Sequence, residues 1–432
     1  MYSDRALVIG AGFAGLLAAR VLAESYGDVV VVEREVIGPG FREGVPQACL
    51  LSEPVLGAVE SLFPRLGGEL EEGGAVRADL GSDLLVRLPG GWAPREWLGV
   101  EVLAASRGAV ERAVRRRLGR LANVSIVDGV AVDGLLHDRG AVTGVRGWRG
   151  DRPFTDYADL VVDASGRDGK LVSWLAELGV RCPAPVIVNG RVATASRLYE
   201  INRDLGLDWK IACEVTRAPA ARRGAVVSSV DGRRWLVTLV GADGEMPPVD
   251  EDGFLEFAAS LRCQEVAEIV KTATPVSEIR GAVNLRSRSN RFQQVTDWPR
   301  GLLALGNSAV SLNPVRGHGL TLAALNCADL RALAREHDLA QEPLVFQRAV
   351  ARAARIPWQA TTSADLGWSA KKLPVRTRVA RWYAERVVRA VPGSRRVHRA
   401  SVRVAQLVDH PARLLRPGVL VRALARGRPD QA

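Results

Sequence analysis

The chain has 432 residues, 47% hydrophobic and 25% charged, at a mean hydropathy of +0.02, which excludes wholesale disorder and collagen-like structure and supplies material for two or three domains. A net charge of +11 invites a polyanion partner, but residues 371–432 hold 16 Lys/Arg against three acids while the other 370 carry 43 bases and 45 acids, so the body is near neutral. Five scattered cysteines without CxxC spacing, five histidines without metal-ligand spacing and no apolar run of the roughly 18–20 residues that span a bilayer argue for a cytoplasmic protein with no disulfide framework, metal site or transmembrane segment.

Residues 5–9 read as a short buried strand, followed by Gly10-Ala11-Gly12-Phe13-Ala14-Gly15 and a helical run over 16–24. A second buried strand, 29–32, ends in Glu33 and Arg34. Gly10 permits the tight turn, Gly12 lets backbone approach a pyrophosphate, and Gly15 lets helix and strand pack closely. The helix N-terminus offers free N–H groups and a positive dipole end. Glu33, 18 residues after Gly15, is spaced to accept hydrogen bonds from ribose hydroxyls and repels a 2′-phosphate, which favours FAD or NAD over NADP. Residues 106–108 open a helix over 109–121, and 123–127, 131–136 and 142–147 alternate as strands, the last two joined by a hairpin turn at Asp138-Arg139-Gly140. A buried strand over 158–163 ends at Asp163 before a glycine turn. Residues 301–305 form another apolar strand, closed by Gly306-Asn307, and Asn313-Pro314-Val315-Arg316-Gly317-His318-Gly319 opens a helix whose N-terminus suits an anionic ring.

Taken together, Gly10-x-Gly12-x-x-Gly15 with Glu33, the stretch Arg42-Glu-Gly44-Val-Pro-Gln47, Arg107, Asp163 and Asn313-Pro-x-x-Gly317-His-Gly319 resemble single-component FAD-dependent monooxygenases of the p-hydroxybenzoate hydroxylase fold. Within them the chain looks most like polyether-type olefin epoxidases, over residues 5 to about 370. The resemblance implies an α/β protein. A Rossmann-like FAD-binding domain would comprise residues 1–60, 98–180 and 278–345, and a mixed β-sheet substrate domain residues 61–97 and 181–277, with a basic helical region over 346–432. It implies FAD held by Gly10, Gly12, Phe13, Ala14, Gly15, Glu33, Arg34, Arg42, Arg107, Asp163, Gly306 and Asn307, with Pro314, Gly317, His318 and Gly319 beside the isoalloxazine. It further implies NAD(P)H as reductant and a flavin C4a-hydroperoxide that epoxidises or hydroxylates a hydrophobic polyketide-like intermediate, free or held on a carrier protein.

Three departures bear on the redox chemistry. Asn307 stands where the family usually has Asp, so its contact to the flavin ribityl chain is weaker. Residues 47–52 lack the His-x-His of related epoxidases, and residues 167–174 differ from the family's segment after Asp163. These departures open a second reading, a cyclase that uses the fold, and FAD as scaffold, to shape a polyene for a non-redox cyclisation. A halogenase ranks below both, because the chain has no Trp-x-Trp-x-Ile-Pro stretch.

Candidate pocket residues are Trp209, Trp235 and Trp298, each with core packing as the alternative, and no catalytic general base stands out. In the tail, Val375, Val379, Trp382, Val387 and Val391 suggest one apolar helical stripe, broken at Pro392-Gly393, with a second helix over 397–408. Such a basic helix packs on the body with solvated arginines, or docks peripherally on a membrane or an acidic carrier. No sequence pattern for nucleic-acid binding is present.

Overall fold

The structure, a computed structural model, describes residues 4–38, 47–88, 91–201, 206–368 and 375–426. Runs of branched apolar residues near the N-terminus form strands buried on both faces, as parallel sheets require. β1 (Arg5–Ile9) leads into α1 (Phe13–Leu22), β2 (Asp28–Val32), α2 (Arg107–Leu118), β3 (Val124–Val127) and β4 (Leu160–Asp163). β1 pairs in parallel with β2 and β4, and the five-stranded order is Leu302–Ala304, β4, β1, β2, β3. Ile9 is level with Val32 and Asp163, and Asp163 with Ala304. Gly10, Glu33, Ala164 and Leu305 therefore leave the sheet along one carboxyl edge, where ligands of open α/β sheets bind.

Between β3 and β4 lies an antiparallel insert, Val130–Asp138, Ala141–Arg149 and Arg152–Tyr157. Its first two strands form the anticipated hairpin, with Arg139 and Gly140 both at positive φ.

A second sheet contains β5 (Ala193–Glu200), β6 (Ile211–Glu214), β7 (Arg223–Ser229) and β8 (Arg234–Gly241), in the antiparallel order β5-β8-β7-β6. Beyond β6 it gains Leu84–Leu88, paired in parallel, and then Gly91–Trp92. Its register sets Ser196 opposite Thr238, Thr238 opposite Val226, and Val226 opposite Cys213. These four side chains form one row across one face. The opposite face carries Ala195, Val237, Leu239, Val227 and Ala212, packed with the helices Glu251–Ala259 and Gln264–Thr272.

α3 (His318–Leu333) packs on α1, and α4 (Pro343–Asp365) packs on α3. The tail forms α5 (Val375–Ala390), α6 (Arg395–Ala405) and α7 (Pro417–Arg426). Val387, Val391, Val397, Val419 and Ala423 bury themselves against Val86 and Ala93 at the edge of the second sheet. The single apolar stripe expected of the tail is split. Val387 and Val391 are buried, whereas Val375, Val379 and Trp382 are 69%, 57% and 49% exposed. The five-residue step from Trp382 to Val387 rotates about 140° around a helix, so the two groups lie on different faces. The second tail helix also ends at Ala405, short of the anticipated residue 408.

Candidate cofactor and substrate site

The carboxyl edge of the parallel sheet is shaped by close backbone approach. Gly10 has φ +102°, and a Cβ there would lie 2.7 Å from the Ala164 carbonyl oxygen. A Cβ at Gly15 would collide with the Gly10 carbonyl, so α1 crosses β1 only because that position is glycine. Gly12 is the N-cap of α1 in extended conformation. Gly306, at φ +59°, faces Ala14, and a Cβ there would lie 3.0 Å from the Ala14 Cβ. The two glycine-bearing segments, nearly 300 residues apart in sequence, thus meet at the start of α1.

Two buried carboxylates hold this turn. Glu33 Oε2 accepts from the Ala11 N–H at 2.8 Å and Oε1 from the Glu35 N–H at 3.1 Å. Glu111, with no exposed surface, accepts from the Phe13 N–H at 3.2 Å and from Arg107 Nε at 2.8 Å, while Arg107 Nη1 donates to Gln47 Oε1 at 2.9 Å. Sequence reasoning overlooked Glu111; its signal was an acid four residues after Arg107, hence on the same helix face. Arg34 is exposed beyond Glu33, and Arg42 lies outside the described residues.

Asp163 ends β4 fully buried, and burial pushes its carboxyl pKa up. Its Oδ1 accepts from the Ser165 N–H at 3.1 Å, while its Oδ2 and the Ser165 Oγ have no partner among the described residues. Asn307 is exposed, with its Oδ1 4.0 Å from the position a Cβ would take on Gly319. Gly306 N–H donates to Asn326 Oδ1 at 3.1 Å. This edge fits a dinucleotide on two counts: the glycine cradle is space that any Cβ would fill, and unused buried hydrogen-bonding atoms sit beside it.

The loop into α3 is fixed from several directions. Asn313 N–H donates to Ser287 Oγ at 3.0 Å, and its Oδ1 accepts from the Val315 N–H at 3.2 Å. Its Nδ2 donates to Asp365 at 3.0 and 3.3 Å, and burial raises the Asp365 pKa to about 6. His318 sits between Thr361 Oγ1 and the Ala405 carbonyl, each 3.0 Å from a ring nitrogen, and burial pushes its pKa down. A neutral ring that donates from Nε2 to the carbonyl and accepts at Nδ1 satisfies both contacts. His318 therefore ties the loop to α4 and α6 with both nitrogens engaged. Pro314 and Gly317 are exposed on the same loop.

This loop faces the row on the second sheet: Val315 packs with Val240 and Val192, and the charge of Arg316 reaches Cys213. Thr238, Val226 and Cys213 keep accessible surface in the middle of an otherwise buried sheet. Row and loop share one side of the second sheet, with α6 held there through the Ala405–His318 contact. The three tryptophans do not line that side. Trp209 and Trp235 form an edge-to-face pair 5.1 Å apart in the cluster on the opposite face. Trp298 lies in the apolar core around the parallel sheet, donating from Nε1 to the Leu302 carbonyl at 2.8 Å. All three are core residues, for strand alternation sends Trp235 away from Thr238. Ser196, Thr238, Val226 and Cys213 carried no sequence signal, since both faces of these strands are largely apolar.

Among the described residues no group of His, Cys, Asp and Glu is arranged to hold a metal, and no helix is long and apolar enough to cross a membrane. No protein-family model matches the chain. Among solved structures, the flavin-dependent brominase Bmp2 is similar with a TM-score of 0.65 and 14% identity, covering 94% of each chain. A tetrameric 2-methyl-3-hydroxypyridine-5-carboxylic acid oxygenase is similar with a TM-score of 0.59 and 18% identity, covering 86% of this chain and 94% of that one. These likenesses establish the fold, that of FAD-dependent monooxygenases. Protein Rv3254 of Mycobacterium tuberculosis (strain ATCC 25618 / H37Rv) is 30% identical over 399 residues, 86% of this chain and 82% of its own length, and the chain belongs to the family of that protein.

Proposed function

We propose that the chain is an FAD-dependent monooxygenase that transfers one oxygen atom to a hydrophobic, polyketide-like natural-product intermediate, with epoxidation the leading reaction. The observation that carries this reading is the meeting of the Gly10–Gly15 cradle, Gly306 and the Asn313–Gly319 loop at one edge, on the side of the second sheet where Thr238, Val226 and Cys213 keep accessible surface. The N-terminus of α1 and Arg107 would hold the pyrophosphate of FAD, Glu33 the adenosine ribose, and Asp163 and Asn307 the ribityl chain. FAD, when bound and reduced by NAD(P)H, supplies the activation of dioxygen. The protein positions the substrate between Thr238 and Val226 and the loop, and the packed tail keeps water from that space. Asp365 and His318 hold the loop rather than exchange protons with substrate.

The test is a visible spectrum of the purified protein with FAD added, followed by turnover of polyene and alkene substrates with and without dioxygen and NAD(P)H. Bound flavin with product that requires both dioxygen and reductant supports the monooxygenase. Turnover in their absence transfers the reading to a non-redox cyclase, which the neutral, exposed Asn307 favours. Failure to bind FAD removes both flavin-based readings.

A further inference from the structure

Arg316 differs from several other partly buried arginines in having no polar partner among the described residues. Arg107 pairs with Glu111, Arg197 with Glu251 and Arg403 with Asp409, and Arg167 donates to the carbonyls of Arg286 and Leu312 at 2.6 Å each. Arg316 is surrounded by protein, enough for burial to push its pKa down, yet it keeps accessible surface. A side chain that is deep and still accessible lines an internal recess. Among the described residues no carboxylate comes within 4.0 Å of its guanidinium, and no hydrogen bond satisfies it.

Its surroundings offer little compensation. Asp365 interacts with it only over a longer range, and the carboxyl oxygens of Asp365 accept from Asn313 Nδ2. Cys213, on the row across the recess, is a thiol whose pKa burial pushes up to about 12, so it carries no charge near neutral pH. His318, the next neighbour along the chain, has both ring nitrogens engaged elsewhere. A guanidinium that keeps accessible surface and has no polar partner among the described residues is available to an anion. Its five donors form a planar fork matched to a carboxylate.

We propose that Arg316 is a specificity-determining residue that receives the carboxylate of the substrate, so that the recess takes a lipophilic carboxylic acid with its apolar body over Thr238 and Val226 and its anionic end on the loop. This assignment rests on the proposed monooxygenase site for its role in oxygen transfer, but the binding preference it predicts does not need flavin.

The experiment measures equilibrium binding of octanoate, dodecanoate and hexadecanoate, and of the matching alcohols, by calorimetry on the full chain with and without added FAD. The expected result is at least about a tenfold preference for acid over alcohol, the size of a charge-assisted pair. R316Q brings that ratio close to one, R316K retains part of it, and thermal unfolding of R316Q is unchanged or shifted upward, since the guanidinium serves the ligand rather than the fold. Equal binding of acids and alcohols by the wild-type chain, or of neither across the series, overturns the proposal. So does an R316Q chain that keeps the preference, or one that loses FAD retention while the acid-to-alcohol ratio stays unchanged. Loss of the flavin reading shows itself separately, as absent FAD binding with the carboxylate preference intact.

Discussion

Two side chains beside the proposed flavin have opposite relations to the fold, and substitution separates them. Asn307 is exposed, so Asn307→Asp changes stability by less than about 0.5 kcal/mol. The added charge strengthens hydrogen bonds accepted from ribityl hydroxyls, and the expected outcome is FAD affinity higher by about tenfold in a fluorescence-quenching titration. Asp365 is buried, with a pKa raised to about 6 from the ordinary 3.8. Between those values the folded chain holds a proton that the unfolded chain has released, so this group's contribution to stability falls as pH rises from about 4 to about 6 and is constant above that range. Asp365→Asn removes that slope and keeps an acceptor for Asn313. Urea unfolding across pH 4 to 7 is expected to show the wild-type minus variant difference declining by about 2–3 kcal/mol over the window. At this scale the nucleotide cradle was legible, because each glycine answers one backbone demand that the sequence displays. The pairing of Glu111 with Arg107 was open to a four-residue spacing argument, but the bond of Glu111 to the Phe13 N–H and the partners of Asp365 were not, because they join groups distant in the chain.

The tail shows where element-level reasoning holds and where it stops. A count of apolar residues at intervals of three to five gave the helix over 375–390, but one interval of five moved the later valines to another face. Burial then decided their roles. Val397 on α6 has no exposed surface and packs with Val86, Val391 and Val419, whereas Val379 on α5 is 57% exposed. Val397→Ala is expected to cost about 2 kcal/mol, the transfer free energy of two methyl groups plus the space they leave. Val379→Ala is expected to stay within about 0.5 kcal/mol. Denaturant midpoints at unchanged slope are the measurement, and equal effects at the two sites would mean that α5 is packed on its outer face as well. The strands of the second sheet were harder to read for a related reason. β8 alternates Trp235, Val237, Leu239 with Leu236, Thr238, Val240, and both sets are largely buried. Polarity therefore marked neither face, and the placement of Trp235 followed from pairing register alone.

For the whole molecule, the position of the charge is more informative than its sum. The parallel sheet, the antiparallel insert and the order of elements could be read from patterning because each is locally encoded, whereas the proposed recess depends on the loop at 313–319 meeting strands 75 to 125 residues earlier. Charge behaves like the recess in that its consequence depends on assembly. The segment 371–432 has 16 bases and three acids, and of those acids Glu385 lies near Arg389 and Arg217 while Asp409 pairs with Arg403 and Arg413. Arg376 and Arg378 are exposed on α5. Folding gathers most of the described tail arginines on three packed helices, so they repel one another more in the folded chain than in the unfolded one. The surface ion pairs of the body, such as Arg77 with Glu71, contribute about 0–1 kcal/mol each and weaken with salt. Because the tail's imbalance is large and one-signed, its repulsion outweighs those losses, and screening should raise stability. Increasing sodium chloride from about 20 to about 300 mM, which shortens the screening length from roughly 20 to roughly 6 Å, is expected to raise the melting temperature by a few degrees. Reversing charge with Arg376→Glu and Arg378→Glu together is expected to give part of that rise at low salt and to reduce the further gain on adding salt. A melting temperature that falls with salt, or a double variant less stable than the wild type at low salt, would show that these arginines are held by acids of the body rather than solvated.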